Sequence, residues 1–203
     1  MASETTVATA SYELRFDAGR ICLDLLATAD PDERLGAVEP LRAWIAASGL
    51  VPAGTPLHHA DASWVPHFRE LRELTGRLTG QLVHSSPSAD PRLLDQALTR
   101  LNELARPAPP APRAVRAEDG TLVRELHGPP DCAALLGAVA RDAVELLTDP
   151  VARACLRQCE GDSCSIVYLD TSRGRRRRWC SSEICGNRER VARHRRRAAM
   201  ARA

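Results

Sequence analysis

Two pairs of cysteines constrain this chain more than any other feature. Cys159 and Cys164 enclose four residues, Cys180 and Cys185 enclose four more, and fifteen residues separate the pairs. Each pair can offer two thiolates from one turn, and the segment between can fold the pairs into one tetrahedron, the arrangement of a structural zinc site. Soft thiolates select Zn²⁺ over harder cations. Four cysteines close every coordination position, so the metal is expected to be structural. So short a segment has little apolar side chain of its own, and metal binding would supply folding free energy. Iron–sulfur ligation is the chemical rival, though its usual spacings are tighter.

The other cysteines, Cys22, Cys132 and Cys155, are scattered. An odd count without a secretory leader argues against a disulfide framework. No apolar run reaches the roughly 18 residues of a membrane span. These observations predict a cytoplasmic protein with no membrane partner. Lysine is absent and Ala, Pro and Arg abound, which fits the coding bias of a high-GC bacterium.

That bias does not explain where the arginines sit. Residues 171–203 hold twelve Arg against two acids, while the remaining residues hold sixteen Arg against twenty-four acids. Charge segregated in this way points to a nucleic-acid-binding end. Ser165–Leu169 reads as a strand, Ser172–Gly174 as a turn, and Arg175–Trp179 as the returning strand. Arg175, Arg176, Arg177 and Arg178 would then alternate sides. Trp179 is expected to pack over the metal site or onto the run-in strand.

Ser181 or Ser182 can cap a helix running through about Ala199. On it Ile184, Arg188, Val191 and Arg195 form one stripe, with Ile184 and Val191 as anchors. Asn187, Arg190, His194 and Arg197 form a second stripe, with Arg193 beside it. A major groove admits a helix, where Asn pairs with adenine and Arg with guanine. The other arginines would neutralise phosphates. The chain's own acidic region is the alternative partner for this charge.

Hydrophobic residues make up 44% of the chain and aromatics only 3%, so a core of Leu, Val and Ala is expected, which favours helices. The first ten residues read as frayed, and Ser11–Thr28 as an extended start leading into an apolar helix. Helices are predicted over Pro40–Gly49, Trp64–His84, from Asp90-Pro91 through Leu104, and Asp131–Thr148. In the third of these, Leu93, Leu94, Leu98, Leu101 and Leu104 are expected to face inward. Asp119-Gly120 marks a hairpin turn within Arg113–His127. The fold class is therefore mainly α (α+β). It would have a helical domain with a small β-hairpin over residues 11–150, and a Cys₄ zinc module, hairpin plus basic helix, over 151–203.

The runs Tyr168-Leu169-Asp170-Thr171-Ser172-Arg173, Arg177-Arg178-Trp179-Cys180-Ser181 and Cys185-Gly186-Asn187-Arg188 resemble the CGNR zinc-finger family, which is mostly bacterial. Its N-terminal portion is a helical domain called ABATE. Ala18–Asp24 resembles the start of that domain, and Leu41–Trp44 a later part. Where the family often carries Asn-Thr after its Leu-Asp, Ala27-Thr28 stands here, so a pocket shaped by that Asn would differ.

The resemblance implies a stress-induced transcription regulator whose zinc ligands are Cys159, Cys164, Cys180 and Cys185. Gly186 would allow close packing beside the metal. Asn187 and Arg188 would either contact DNA or brace the knuckle. For Arg188 the stripe it shares with Ile184 favours bracing, with Asp170 as its salt-bridge partner. The expected partners are double-stranded DNA, a small-molecule effector or an assembly partner for the N-terminal domain, and a second copy in a homodimer. An RNA- or ribosome-associated role for the same arginines is the alternative. An enzymatic reading rests only on His58, His59, Asp61 and His67, which form no nucleophile–base constellation.

Overall fold

Three helices begin in the same way, with an aspartate side chain accepting a backbone N–H of the first turn. The carboxylate of Asp90 takes the Arg92 amide at 2.9 Å, that of Asp131 takes Ala134 at 2.7 Å, and that of Asp149 takes Val151 at 2.8 Å. Two of them place proline in the first turn, where its missing N–H costs nothing. The computed structural model describes residues 14–84 and 90–200. The expectations for the first ten residues and for Ser11–Glu13 fall outside that range.

The elements run α1 (Ile21–Leu26), a 3₁₀ turn (Ala27–Ala29), α2 (Val38–Ala47), α3 (Trp64–His84), α4 (Pro91–Leu104), β1 (Pro112–Arg116), β2 (Leu122–Leu126), α5 (Cys132–Thr148), α6 (Pro150–Ala154), β3 (Leu156–Gln158), β4 (Val167–Leu169) and α7 (Cys185–Met200). α3 is the hub and packs against α1, α2, α4, α5 and β3. It buries Trp64, Phe68, Leu71 and Leu78, and Phe68 meets Trp44 of α2 edge-on with ring centroids 6.0 Å apart. Arg72 is buried on the same helix because Glu33 and the Thr28 hydroxyl satisfy its guanidinium.

α4 follows its predicted span but not its predicted face. Leu101 is buried and Leu94 and Leu104 pack at the edge of the core, but Leu93 and Leu98 are 46% and 42% exposed. The helix packs mainly against α3 and α5, so a narrow stripe with Ala97 and Leu101 at its centre suffices. The approach to α5 is close. Arg141 donates to the carbonyls of Ala105, Arg106 and Pro107. A Cβ at Gly137 would lie 2.5 Å from the Pro107 oxygen.

The β1–β2 hairpin pairs Val115 with Val123 around the Asp119-Gly120 turn, and Leu122 is left 70% exposed. The second hairpin differs from the sequence reading. Val167–Leu169 pairs antiparallel with Leu156–Gln158, upstream, and residues 175–179 are not a strand. Asp170 explains this. Its buried carboxylate accepts the amides of Ser172 and Arg177, both at 3.0 Å, and Arg175 takes a left-handed conformation at φ 48°. The 171–177 segment is thereby folded into a tight loop.

The hydrophobic core does not stop near residue 150. Leu156, Ile166, Val167, Tyr168 and three of the clustered cysteines belong to the same buried cluster as Leu23, Leu71 and Val139. The Leu169 amide donates to the Ala18 carbonyl at 2.8 Å, and the Ser165 amide donates to Asp30 at 2.7 Å.

Candidate metal centre and nucleic-acid interface

The metal site is assembled from two knuckles. In the first, Cys159 leaves β3 and Cys164 follows a turn closed by the Cys164 amide on the Gly161 carbonyl. The second runs from Cys180 to Cys185, the first residue of α7. The four sulfurs lie within 4.8 Å of one another. Cys180 Sγ is 3.7 Å from that of Cys164 and 3.6 Å from that of Cys185. A tetrahedron with metal–sulfur bonds of about 2.3 Å has edges of about 3.8 Å. The residues therefore fit a metal ion held by four thiolates. Among the described residues, no other group of His, Cys, Asp and Glu has this spacing.

The electrostatics of the cluster suit a cation at its centre. Burial pushes the Cys159 thiol up, but the amides of Cys180 and Gly161, each 3.4 Å from its sulfur, bring it below the ordinary thiol value. Burial drives Cys164 up to about 12 and Cys180 upward as well. Crowded thiolates repel one another, and a divalent cation among them offsets both the repulsion and the loss of hydration.

Sequence reasoning missed two contributors. Gly161 leaves room where a Cβ would lie 3.3 Å from Cys185 Cβ and 3.4 Å from Cys159 Sγ. Its position inside the first Cys pair was the available signal. Arg15 places Nη2 3.2 Å from Cys180 Sγ and 2.9 Å from Asp17, with only 10% of its side chain exposed. Arg15 and Cys180 are 165 residues apart in the chain, and no local pattern could have linked them.

The residues assigned to support the knuckle are found as follows. Asp170 is fully buried, and hydrogen bonds from Ser172 hold its carboxyl below the usual range. It braces the 171–177 loop and makes no ion pair with Arg188. Trp179 is half-buried against Gly186, where a Cβ would be 3.6 Å from the indole. Arg188 is exposed at the mouth of a small cleft with Arg15, Arg34 and Asp30, beside Cys164 and Cys185. A cation there faces the thiolate cluster.

The arginines of the 171–178 loop divide. Arg177 is turned inward. Its guanidinium lies over the Tyr168 ring at 4.6 Å and donates to the carbonyls of Trp179 and Asp17. Arg178 pairs with Glu160 at 2.6 Å and covers Trp179. Arg173, Arg175 and Arg176 are exposed and have no ion-pair partner among the described residues.

On α7 the metal site fixes the rotational phase. Cys185 must point at the cluster, so Glu189 and Ala192, about one and two turns on, are half-buried. Ile184 and Val191 therefore face solvent, 39% and 43% exposed, rather than anchoring the helix. At about 100° per residue, Asn187, Arg190, His194 and Arg197 lie on the side opposite Cys185. All four are exposed, as is Arg193. Glu189, the helix's one acid, pairs with Arg196 at 2.7 Å.

Of the histidines named for an enzymatic reading, His58 and His59 meet edge-on, while His67 lies beside Arg100, Glu103 and Cys132. The Asp61 carboxylate accepts from Ser63 at the start of α3, and His59 is held by the Pro130 carbonyl. Residues 19–150 match the family model ABATE, described as "Putative stress-induced transcription regulator". Residues 155–198 match the model of the CGNR zinc finger. Neither is an enzyme family. No curated protein matches the chain.

Proposed function

Because the chain belongs to the ABATE family and carries a CGNR zinc finger behind that domain, we propose that it is a zinc-dependent, DNA-binding transcription regulator. The observation that carries this reading is the outward face of α7. Asn187, Arg190, His194 and Arg197 line the side of a helix of about 24 Å whose opposite side is held to the sulfur cluster. A helix so held can enter a major groove without bending, with Asn and Arg offering bidentate hydrogen bonds to base edges. Arg173, Arg175, Arg176 and Arg193 would neutralise phosphates.

Zinc is the metal of this reading because four soft thiolates with tetrahedral spacing suit it. It would fix the phase of α7 and do no chemistry. The N-terminal domain would sense a ligand or mediate assembly, and a homodimer would read repeated half-sites.

The test is selection of double-stranded fragments from a random pool by the zinc-loaded chain at moderate salt, followed by sequencing. A motif, with its half-site spacing, is the expected result. Retention without any motif, together with preference for structured RNA, would move the protein to the RNA-binding class. Cytoplasmic location belongs to the same reading. For its part, the structure has no helix long and apolar enough to cross a membrane among the described residues.

A further inference from the structure

The N-terminal domain has a concave site that the metal centre and α7 do not use. A cleft of about 400 Å³ opens between the loop after α2 and the edge of β2. That volume falls in the range of small-molecule pockets, about 300–1,000 Å³. Its walls are apolar and stiff, with Pro52 and Pro56 on the loop and Leu126 and Pro129 at the end of the hairpin. The loop is braced from behind, where Arg42 donates to the carbonyls of His58 and Ala60. The cleft is therefore formed before anything enters it.

Its polar groups are few and unequal. Glu125 lines the cleft, but Arg113 pairs with it across the hairpin at 2.9 Å. Arg124 has no acidic partner among the described residues; its guanidinium reaches only the Gly49 carbonyl, at 3.4 Å. His59 Nε2 lies 2.8 Å from the Pro130 carbonyl and so carries a proton, which leaves Nδ1 as the acceptor in the neutral ring. The His59 ring stands edge-on to His58 and to Trp64. The uncompensated charge at the cleft is thus positive, and its walls favour a flat apolar body.

We propose that this cleft is a binding site for small carboxylates with a flat apolar body, with Arg124 taking the carboxylate and the proline walls the ring. Both walls continue into helices, the loop into α3 at Trp64 and the hairpin through Pro130 into the Asp131 cap of α5. Occupancy can therefore bear on the two helices that contribute more residues to the core than any other. As the effector site of a regulator, the cleft rests on the function proposed above; as a binding site it does not.

The test is an NMR titration of the zinc-loaded full chain with benzoate and with its uncharged analogue benzamide, with no DNA present. Benzoate is expected to shift the signals of Gly54, His58, His59 and Gly128 saturably. Benzamide and the Arg124→Gln variant should each bind about tenfold more weakly, the loss of one charge-assisted contact. Arg116→Gln, whose arginine donates to the Gly120 carbonyl at the hairpin tip, should bind as the parent chain does. Absence of shifts with benzoate, equal binding of benzamide, or full binding by Arg124→Gln would overturn the proposal. Because DNA takes no part in the titration, a failed operator search leaves its outcome intact, and the converse also holds.

Discussion

Arg15 ties the N-terminal segment to the metal site through a single side chain. The Arg15 guanidinium touches a ligand sulfur and is almost wholly buried. Four thiolates around one divalent ion carry two negative charges, and Arg15 balances part of that excess. Loss of an outer partner typically weakens metal binding about 10–100-fold. Arg15→Met, which keeps length without charge, should release metal to a chelator about tenfold more readily, with Arg15→Lys in between. Equal release by all three chains would deny Arg15 this role.

Asp24 makes a prediction about pH. Burial, opposed by the Ala18 amide at 3.0 Å and reinforced by Asp17 and Asp142, raises its carboxyl to about 7. Between about pH 4 and pH 7 the folded chain keeps a proton that the unfolded chain has lost, so stability falls as pH rises through that window. Asp24→Asn keeps the acceptor oxygen and removes the titration. It should gain on the parent chain by about 2–3 kcal/mol between about pH 5 and pH 8 in urea unfolding. A constant difference between the two chains across that range would show that Asp24 is ionised throughout.

At the scale of elements, packing can reverse a propensity. Gly137 lies inside α5, where Gly→Ala ordinarily stabilises a helix by about 1 kcal/mol. Here a Cβ would meet the Pro107 carbonyl oxygen, a backbone atom that cannot rotate away, at 2.5 Å. Gly137→Ala should therefore destabilise by about 1–3 kcal/mol, the usual cost of overpacking. A higher urea midpoint in the variant would mean that the 106–112 segment can move aside.

The proposed DNA face of α7 is testable by the same logic. Arg190→Ala and Arg197→Ala should each cost about 1–3 kcal/mol of affinity for the selected site and relax its sequence preference, with the slope of log K against log salt little changed. Unchanged affinity would shift the contact to the exposed arginines of the 171–176 loop.

These elements also mark what a sequence can say. α3 and α5 lie where periodicity and caps place them, and the Asp119-Gly120 turn is local chemistry. The four-cysteine cluster is legible because its spacing is. The strand opposite Val167–Leu169 is not legible, since Leu156–Gln158 is three residues long and its partner is chosen by Asp170 capturing the downstream amides. The phase of α7 is invisible for a similar reason. Ile184 and Val191 mark an apolar stripe, but Cys185 on the sulfur cluster decides which way the helix turns.

On the scale of the whole molecule, the family boundary near residue 150 is not a boundary in the packing. Leu169 hydrogen-bonds to Ala18, Ser165 to Asp30, Arg177 to Asp17 and Cys180 to Arg15, and one hydrophobic cluster runs beneath all four. β3 and β4 reach the shared core through Leu156, Ile166, Val167 and Tyr168, but the two knuckles that frame them close only on the sulfur cluster, so their fold is expected to depend on the metal. The 14–30 segment leans on them and should loosen with them, whereas α3, α4 and α5 hold each other through Leu71, Leu101 and Val139. Stripping the metal from the full chain with a chelator should therefore abolish hydrogen-exchange protection in residues 15–30 as well as 155–185, with the α3–α4–α5 amides still protected. Restoring Zn²⁺ should restore both segments together, because one ion closes both. Exchange that rises only beyond residue 155 would make the zinc finger an independent unit. A metal-bound signal could then reach the N-terminal domain only through the chain connection, not through the shared core.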